Sequence, residues 1–542
     1  MLCRIRRSGL TVFYRPGDPN GGDLRFGVEK RLSDSYIVER LCNVAIILLG
    51  YANVNDEDFC RDSVSSEFNK TADNSACRVG IVGGGVAGST AALRLAELGV
   101  EVVLFEQGPS LVNGPPMCHL HAGGNFYREI SDQQCLTLLH QSIDTLRLYP
   151  YAANIRPTVF CVPVQDSGCP RDLLPRLEKL KSAYAEIIRE DPANEVLGPA
   201  SDYFKVYQRA DLERLAQQPL PAEPQTLDDW LVPVAKHVDL DQFKLPVIVV
   251  QEYGLSAFRI GATASLTLEQ SKNCTVLTNT RVKRVEKQQQ GEGWDICYET
   301  SEKHSHTLSV DYLVNACGYR TGTLDDMAGF KRQRMVEFKA AYLAKWPDCK
   351  GVWPEVVFYG ERGTPGGMAQ LTPYPEGYFI IHGMTEDITL FKGGLAASCE
   401  RSAQPQLPTE LEAKITSRWD KVALADRTRR SIEHVAQFIP QFHSAEVGGS
   451  ALYGAQQIPG RDPSLRASDV SFTGTRYARS EIVKSSSALS VANQIADKLR
   501  DEQLLKSSIN DVTASTERLD RKQVLELAEQ LAVARDYPKA LA

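Results

Sequence analysis

The sequence predicts an α/β fold in which a helix-flanked, mostly parallel sheet carries an inserted antiparallel-sheet domain. Residues 77–106 have the pattern of a strand, a glycine-rich turn, a helix and a second strand, the succession that builds a parallel sheet. Apolar positions alternate in parts of 335–395, which is typical of antiparallel strands with one buried face. Two later stretches, 311–318 and 469–474, again resemble strands that end in small residues. The chain is therefore expected to leave the parallel sheet and return to it.

The glycine-rich turn has the pattern G-x-G-x-x-G at Gly83, Gly85 and Gly88. The first glycine allows a tight turn, the second lets a pyrophosphate approach the backbone, and the third lets the helix pack closely on the sheet. The helix N-terminus offers unpaired N–H groups and a partial positive charge to the phosphates. Glu106, after the second strand, is placed to accept hydrogen bonds from both ribose hydroxyls. The motif predicts a Rossmann-like dinucleotide site that includes Gly83, Gly85, Val86, Ala87, Gly88, Glu106 and Gln107.

Length and composition limit the classes of function. At 542 residues the chain exceeds one ordinary core, so two or three domains are expected. The net charge of −7 argues against nucleic acid as a main partner. No apolar run reaches the length of a membrane span, so no transmembrane segment is expected, and peripheral contact with a membrane stays open. The 13 cysteines lack C-x-x-C or Cys/His spacing, which predicts free thiols in a reducing compartment and no metal site.

The sequence divides into an extension, two interleaved domains and a tail. Residues 1–76 precede the motif and are expected to be an extension that is flexible or disordered. Arginines at its start resemble an organelle-targeting peptide, but Pro16–Gly22 breaks the helical pattern early, so a cytoplasmic location is favoured. The cofactor-binding domain is assigned to 77–150, 251–334 and 446–500, and the substrate domain to 151–250 and 335–445. The charged tail, 501–542, is predicted to form one helix that docks or oligomerises.

Further cofactor contacts are predicted at small residues near strand ends, where the backbone can pass close to a ligand. The loop 108–124 follows the second strand of the motif, so it should face the ligand crevice. Its histidines, His119 and His121, either approach the cofactor ring or cap turns. The further residues assigned to the cofactor site are Gly123, Gly124, Val282, Asn315, Gly318, Gly474, Ser485 and Ser486.

Three blocks of the sequence together resemble the flavin-dependent oxidoreductases of the D-amino-acid-oxidase type. They are Gly83–Glu106, Val314–Gly318 and Gly454–Ile495, and the resemblance covers most of 77–500 in order. It implies that the cofactor is FAD. The first block would bind the pyrophosphate and the adenosine ribose, the second would lie beside the cofactor, and the third would close over the isoalloxazine and ribityl chain.

One branch of that superfamily is more similar than the others. The segment His121–Tyr127 is similar to the His-Ala-Gly-x-Tyr-Tyr loop of L-2-hydroxyglutarate dehydrogenases and to the Asn-Ala-Gly-Thr loop of malate:quinone oxidoreductases. Thr372–Pro375 and His382–Thr385 resemble the proline-rich strand pair of the hydroxyglutarate enzymes, where a Val-His-Leu/Phe-Thr segment faces the flavin. The sequence departs from that pattern by inserting Asn125 and by changing the residues around His382.

This resemblance implies oxidation of a small carboxylate-bearing substrate, with a 2-hydroxy acid favoured. His382 is the candidate base because histidine titrates near neutral pH. Arg476 and Arg259 are candidates for holding the carboxylate in a bidentate fork, although either could instead pair with an acid. His121 would orient the flavin edge or join a covalent tether.

No second glycine fingerprint follows the first, so no separate NAD(P)H site is expected. Electrons would pass from the substrate to a quinone, a carrier protein or oxygen. An amino-acid or amine oxidase on the same scaffold, a flavin-dependent monooxygenase or halogenase, and a flavin-binding protein without turnover stay open as alternatives.

Overall fold

The computed structural model describes residues 3–7, 10–14, 77–116, 118–120, 130–417, 419–506 and 516–542. The chain forms two compact units, Met1–Ser66 and Glu67–Ala542. In the first, β1 (Cys3–Arg7) and β2 (Leu10–Tyr14) pair antiparallel. The predicted N-terminal extension falls mostly on residues outside this description.

The second unit contains two large sheets and the helices that cover them. Its strands are β3 (Arg78–Val82), β4 (Glu101–Phe105), β5 (Cys118–His119), β6 (Ala153–Asn154), β7 (Thr158–Pro163), β8 (Phe204–Tyr207), β9 (Phe243–Val250), β10 (Gly254–Leu255), β11 (Cys274–Leu277), β12 (Arg281–Lys287), β13 (Trp294–Glu299), β14 (Ser305–Val310), β15 (Tyr312–Asn315), β16 (Arg334–Lys345), β17 (Glu355–Phe358), β18 (Ala369–Tyr374), β19 (Tyr378–Gly383), β20 (Leu395–Ala397), β21 (Glu446–Val447), β22 (Leu452–Pro459), β23 (Val470–Phe472) and β24 (Tyr477–Ser480). Its helices are α1 (Val86–Glu97), α2 (Asp132–Leu148), α3 (Leu174–Glu190), α4 (Arg209–Ala216), α5 (Leu227–His237), α6 (Ala257–Gln270), α7 (Thr321–Met327), α8 (Thr409–Thr416), α9 (Lys421–Ala436), α10 (Ala488–Asp501) and α11 (Arg521–Ala534).

The first large sheet has the strand order β11-β4-β3-β15-β24-β23. All its pairs are parallel except β23 with β24. Its central strands are buried because both faces are covered, as parallel sheets require. Helices α1, α6 and α10 contribute to the core on one face, and the β12–β14 meander packs on the other. This is the Rossmann-like architecture that the glycine motif predicts, and it confirms the α/β fold class.

The second large sheet has the strand order β20-β16-β19-β18-β17-β7-β9-β8. Its pairs are antiparallel except β7 with β17. Alternate side chains separate into two cores: Val357 faces the cluster shared with the parallel sheet, whereas Val356 and Phe358 face a cluster covered by α4, α5 and α9. Both predicted substrate-domain segments, 151–250 and 335–445, contribute strands to this sheet.

One predicted boundary needs correction. The sequence predicts that 446–500 belongs to the cofactor-binding domain, but β22 pairs with β16 along its whole length and so belongs to the larger sheet. The sequence of β22 could not indicate this, because strand partners are chosen by tertiary contacts. Only from β23 onward does this segment join the parallel sheet.

The tail docks on the cofactor-binding domain through α11. Val524, Ala528 and Ala532 are buried in one cluster with Phe258 and Ala262 of α6. Their spacing of four residues places them on one helix face, which explains why a charged helix can still pack. Among the described residues, no helix is both long enough and apolar enough to cross a membrane.

Candidate active site

The three glycines of the motif have different surroundings. Gly83 has φ +103°, and a Cβ there would lie 2.4 Å from the carbonyl oxygen of Ala316. A Cβ on Gly88 would lie 1.8 Å from the carbonyl oxygen of Gly83, so this glycine is needed for the close packing of α1 on β3. Among the described atoms, none lies within 4 Å of a Cβ on Gly85. Gly85 therefore faces open space at the N-terminus of α1, where N–H groups suit an anion.

Glu106 has a structural role that the sequence did not predict. Its two carboxylate oxygens accept hydrogen bonds from the backbone N–H of Gly84 at 2.7 Å and of Gly108 at 2.6 Å. The carboxylate thus joins the glycine turn to the loop after β4. Each oxygen has a second lone pair, so the predicted bonds from ribose hydroxyls remain compatible with this arrangement.

A crevice runs along the carboxyl ends of β3, β4 and β15, the edge where ligands bind in open α/β sheets. It consists of two adjoining cavities. The Glu106 cavity has a volume of about 580 Å³ and the His382 cavity about 380 Å³. The residues that line both are Gly85, Gly114, Pro115, Ala316, Gly318, Tyr319, Tyr453, Gly454 and Ala455.

This shape fits an extended dinucleotide with its phosphates near the middle. Gly85, at the helix N-terminus, lies where the two cavities meet. Of the predicted cofactor residues, Gly83, Gly85, Glu106, Gln107, Val282 and Gly318 line the Glu106 cavity. Gly85, Val86, Ala87, Gly318 and Ser485 line the His382 cavity together with the predicted base, His382. The chain could therefore hold the adenosine half of FAD beside Glu106 and the flavin half beside His382.

Arg476 and Gly474 do not belong to this crevice. Arg476 lies at the amino end of β24, where it forms an ion pair with Glu292 at 2.9 Å. Because β24 is parallel to β15, that end is opposite the crevice edge. Gly474 follows β23, which runs antiparallel to β24, so the carboxyl end of β23 also points away from the crevice. The predictions for both residues assumed a strand direction that the structure does not have.

Two other predicted contacts lie beside the crevice rather than on its surface. Asn315 is fully buried, and its Nδ2 donates to the carbonyl oxygen of Thr321 at 2.8 Å and to the hydroxyl of Tyr477 at 2.9 Å. It therefore fixes the turn that carries Gly318. Ser486 is buried next to Ser485, and its carbonyl oxygen accepts a hydrogen bond from Thr145.

The other predicted site residues are Arg259 and three residues of the loop 108–124. Arg259 donates to the carbonyl oxygens of Tyr151 and Ala153 at 2.8 and 3.0 Å, and burial lowers its pKa to about 10. It therefore holds backbone rather than substrate. His121, Gly123 and Gly124 lie outside the described residues, so their predicted roles remain predictions.

A polar row crosses the larger sheet and ends at the crevice. His382 on β19 lies opposite Gln370 on β18, and both line the His382 cavity. Gln370 donates through Nε2 to Oε1 of Glu355 on β17. The other oxygen of Glu355 lies 3.3 Å from Nη2 of Arg156, and both side chains are buried. The sequence did not predict Gln370 and Glu355 as site residues. Alternating side chains divide a strand into two faces, but they do not show which face borders a ligand site.

The charges along the His382 cavity are cationic. Lys339 and Lys484 line it, and none of the described residues that line it is Asp or Glu. Lys339 lies 3.1 Å from Glu337, which also pairs with Arg362, so two cations share one carboxylate there. Burial raises the pKa of Tyr319 and Tyr453, which therefore contribute neutral phenols.

None of the described residues that line the Glu106 cavity supplies a reactive thiolate. Burial raises the pKa of Cys317 to about 12, and its Sγ lies 3.3 Å from the carbonyl oxygen of Val82. The thiol is therefore neutral at physiological pH, and its role is to pack against the end of β3.

Known protein families and solved structures resemble this chain in sequence and in fold. A family model described as FAD dependent oxidoreductase matches residues 262–480, and one described as NAD(P)-binding Rossmann-like domain matches residues 81–112. The fold is similar to glycine oxidase from Geobacillus kaustophilus, with 14% identity, a TM-score of 0.50, and coverage of 82% of this chain and 100% of that one. It is also similar to the glycerol-3-phosphate dehydrogenase from Bacillus halodurans complexed with FAD, with 12% identity, a TM-score of 0.51, and coverage of 85% and 73%. No curated protein matches the sequence.

Proposed function

We propose that this chain is an FAD-dependent oxidoreductase of the D-amino-acid-oxidase superfamily and that it oxidises a small carboxylate-bearing substrate by hydride transfer to flavin. A 2-hydroxy acid is the favoured substrate, in keeping with the resemblance to L-2-hydroxyglutarate dehydrogenases and malate:quinone oxidoreductases. The observation that supports this proposal best is the charge of the His382 cavity: two lysines line it, together with no described acidic residue. Such a wall favours an anionic substrate.

Different residues of the chain bind FAD, attract the substrate and accept its proton. Bound FAD supplies the hydride acceptor. The N–H groups at the start of α1 bind its pyrophosphate, and Glu106 accepts from its ribose. Lys339 and Lys484 take the place that the sequence assigned to Arg476 and attract the substrate carboxylate. A ring nitrogen of His382 takes the proton of the substrate hydroxyl as the hydride leaves carbon.

The buried row behind His382 keeps the polar wall in one arrangement. Glu355 accepts from the amide NH₂ of Gln370, so the carbonyl oxygen of that amide is directed away from Glu355. Arg156 balances the charge of Glu355, which would be costly to bury alone. The amide of Gln370 on β18 is thereby fixed beside His382 on the neighbouring strand β19.

An anaerobic assay tests the substrate class. Purified enzyme with FAD bound is mixed with panels of 2-hydroxy acids and of amino acids, and bleaching of the flavin absorbance is followed. Rapid bleaching by a hydroxy acid, and not by the matching amino acid, is expected. Bleaching by amino acids alone would overturn the hydroxy-acid proposal in favour of an amino-acid oxidase.

The same cavity also supports the second candidate, an amino-acid or amine oxidase, because an amino acid carries the same carboxylate. A flavin-dependent monooxygenase or halogenase is a third candidate, which would need reduced flavin from outside. The electron acceptor is proposed to be a quinone, a carrier protein or oxygen. Peroxide formation after aerobic turnover identifies oxygen, whereas reoxidation only by added quinone identifies a dehydrogenase.

A further inference from the structure

The segment after α11 lies against the crevice, although it is the part of the chain most distant in sequence from the glycine motif. Arg535 and Tyr537 both line the Glu106 cavity. The guanidinium of Arg535 lies 5.1 Å from the ring centre of Phe258 and 5.8 Å from that of Tyr537. The hydroxyl of Tyr537 donates to the carbonyl oxygen of Ala451, just before β22, at 3.1 Å. The segment thus touches both walls of the crevice.

Arg535 donates to three successive backbone carbonyl oxygens. Its Nη1 lies 3.3 Å from that of Val112, and its Nη2 lies 3.1 Å from that of Asn113 and 2.6 Å from that of Gly114. A planar guanidinium with several N–H groups in a fixed fork can satisfy such a set, whereas an ammonium cannot reproduce it. Arg535 therefore holds the loop 112–114 in one shape.

That loop is strained, and it contacts the cofactor motif directly. Val112 has φ +56°, a conformation that a β-branched residue rarely adopts. Its N–H donates to the carbonyl oxygen of Gly84 at 2.8 Å, inside the glycine turn. Strained conformations persist only where the surroundings impose them, and they gather at ligand sites. Gly114, two residues after Val112, lines both cavities where they meet.

We propose that Arg535 is a cofactor-positioning residue, which holds the loop 112–114 against the glycine turn and so retains FAD in the crevice. The proposal concerns FAD and not the substrate, so its test is independent of the substrate class. Loss of the fork would let the loop relax toward an unstrained conformation. The wall at the junction of the two cavities would then move, and FAD would dissociate faster.

The experiment compares FAD binding in full-length variants. Bound FAD is removed with concentrated bromide, FAD is titrated back, and quenching of its fluorescence gives the dissociation constant. R535Q is expected to weaken FAD binding by about tenfold or more, the range for loss of hydrogen bonds from a charged donor. R535K keeps the charge but not the fork, and should also bind FAD more weakly than the wild type.

The control is K539Q, which removes one positive charge from the same tail. Lys539 is exposed and pairs only with Glu529 among the described acidic groups, at 3.2 Å, so FAD binding should not change. If R535Q fails to fold, R535K, which keeps the positive charge, carries the test through its weaker FAD binding. Wild-type affinity in R535Q would overturn the proposal. Wild-type affinity in R535K would also overturn it, because FAD binding would then depend on the positive charge and not on the hydrogen bonds of the guanidinium.

Discussion

At the scale of single residues, the crevice depends on a few side chains whose neighbours restrict them strongly. His382 is paired across the sheet with Gln370, which is itself fixed by Glu355. Gly85 and Gly88 differ in the space around them although they belong to one motif. Substitutions of His382, Gly85 and Gly88 therefore have definite expected results.

Substitution of His382 by alanine should leave FAD bound but slow the reduction of flavin by substrate. The expected factor is about 10²–10⁴, the usual contribution of a positioned acid–base group. Stopped-flow absorbance under anaerobic conditions measures it. His443, an exposed histidine whose Nδ1 lies near a backbone carbonyl oxygen, provides the control. Equal rates for H382A and the wild type would end the assignment of His382 as the base.

The glycine motif offers a matched pair of substitutions. Gly85→Trp should abolish FAD binding because the indole would occupy the space at the helix N-terminus, yet the apoprotein should fold, since that space is open. Gly88→Ala should lower both FAD affinity and the melting temperature of the apoprotein, because its Cβ would lie 1.8 Å from the carbonyl oxygen of Gly83. Flavin content and apoprotein melting temperatures separate the two effects. Tight FAD binding by G85W would contradict the placement of the pyrophosphate.

The order of strand, glycine turn, helix and second strand was predicted well because its causes are local. Glycine spacing, helix start and terminal acid all lie within thirty residues, and each follows from backbone geometry. Arg476 failed for the opposite reason: whether it meets the crevice depends on the direction of β24 relative to β15, which neither strand encodes alone. Lys339 was missed because its strand pairs with β22, more than a hundred residues later. The part of the site that the sequence can predict is thus the part formed by residues close together in the sequence.

At the scale of elements, a buried ion cluster joins the two sheets. Asp325 on α7 accepts hydrogen bonds from Arg334 on β16 and from Arg479 on β24, and the Arg479 bond measures 2.6 Å. The hydroxyl of Tyr477 donates to the same carboxylate at 2.9 Å. Glu481 lies 3.5 Å from Arg334 and 2.7 Å from Arg332, so two carboxylates face three arginines. The cluster ties the helix to the ends of strands from both sheets.

Replacing Asp325 by asparagine should destabilise the protein strongly. The change leaves two buried arginines short of one negative charge, and breaking a buried pair from one side costs about 3–5 kcal/mol. Denaturant unfolding of the FAD-free protein measures the change in free energy. D426N removes one partner of the half-exposed pair Asp426–Arg430 and should cost less than about 1 kcal/mol. Similar losses for the two variants would show that the cluster adds nothing beyond surface pairing.

At the scale of the whole molecule, the crevice is assembled inside the unit Glu67–Ala542. Its described lining residues run from Val82 to Tyr537 and include segments of both sheets. This explains why the domain segments alternate along the sequence: each return of the chain to the parallel sheet adds one more wall.

Removal of the residues before the motif should therefore leave the cofactor site intact. A chain that starts at Asp73 is expected to purify yellow, with one FAD per chain, because the motif begins only at the strand after Cys77. Heat release followed by chromatography should identify the flavin as FAD and not FMN, since Glu106 has a ribose to bind only in FAD. A colourless, aggregated product would show that the earlier residues complete the core.

The position of Arg535 and Tyr537 in the cavity wall also affects the order of events during synthesis. Roughly 450 positions separate Gly83 from Tyr537, and ribosomes add about 5–20 residues per second. For some tens of seconds the nascent chain thus carries a glycine turn without the loop support and the wall that Arg535 and Tyr537 provide. Stable capture of FAD should consequently wait until Tyr537 has been synthesised and has folded onto the crevice.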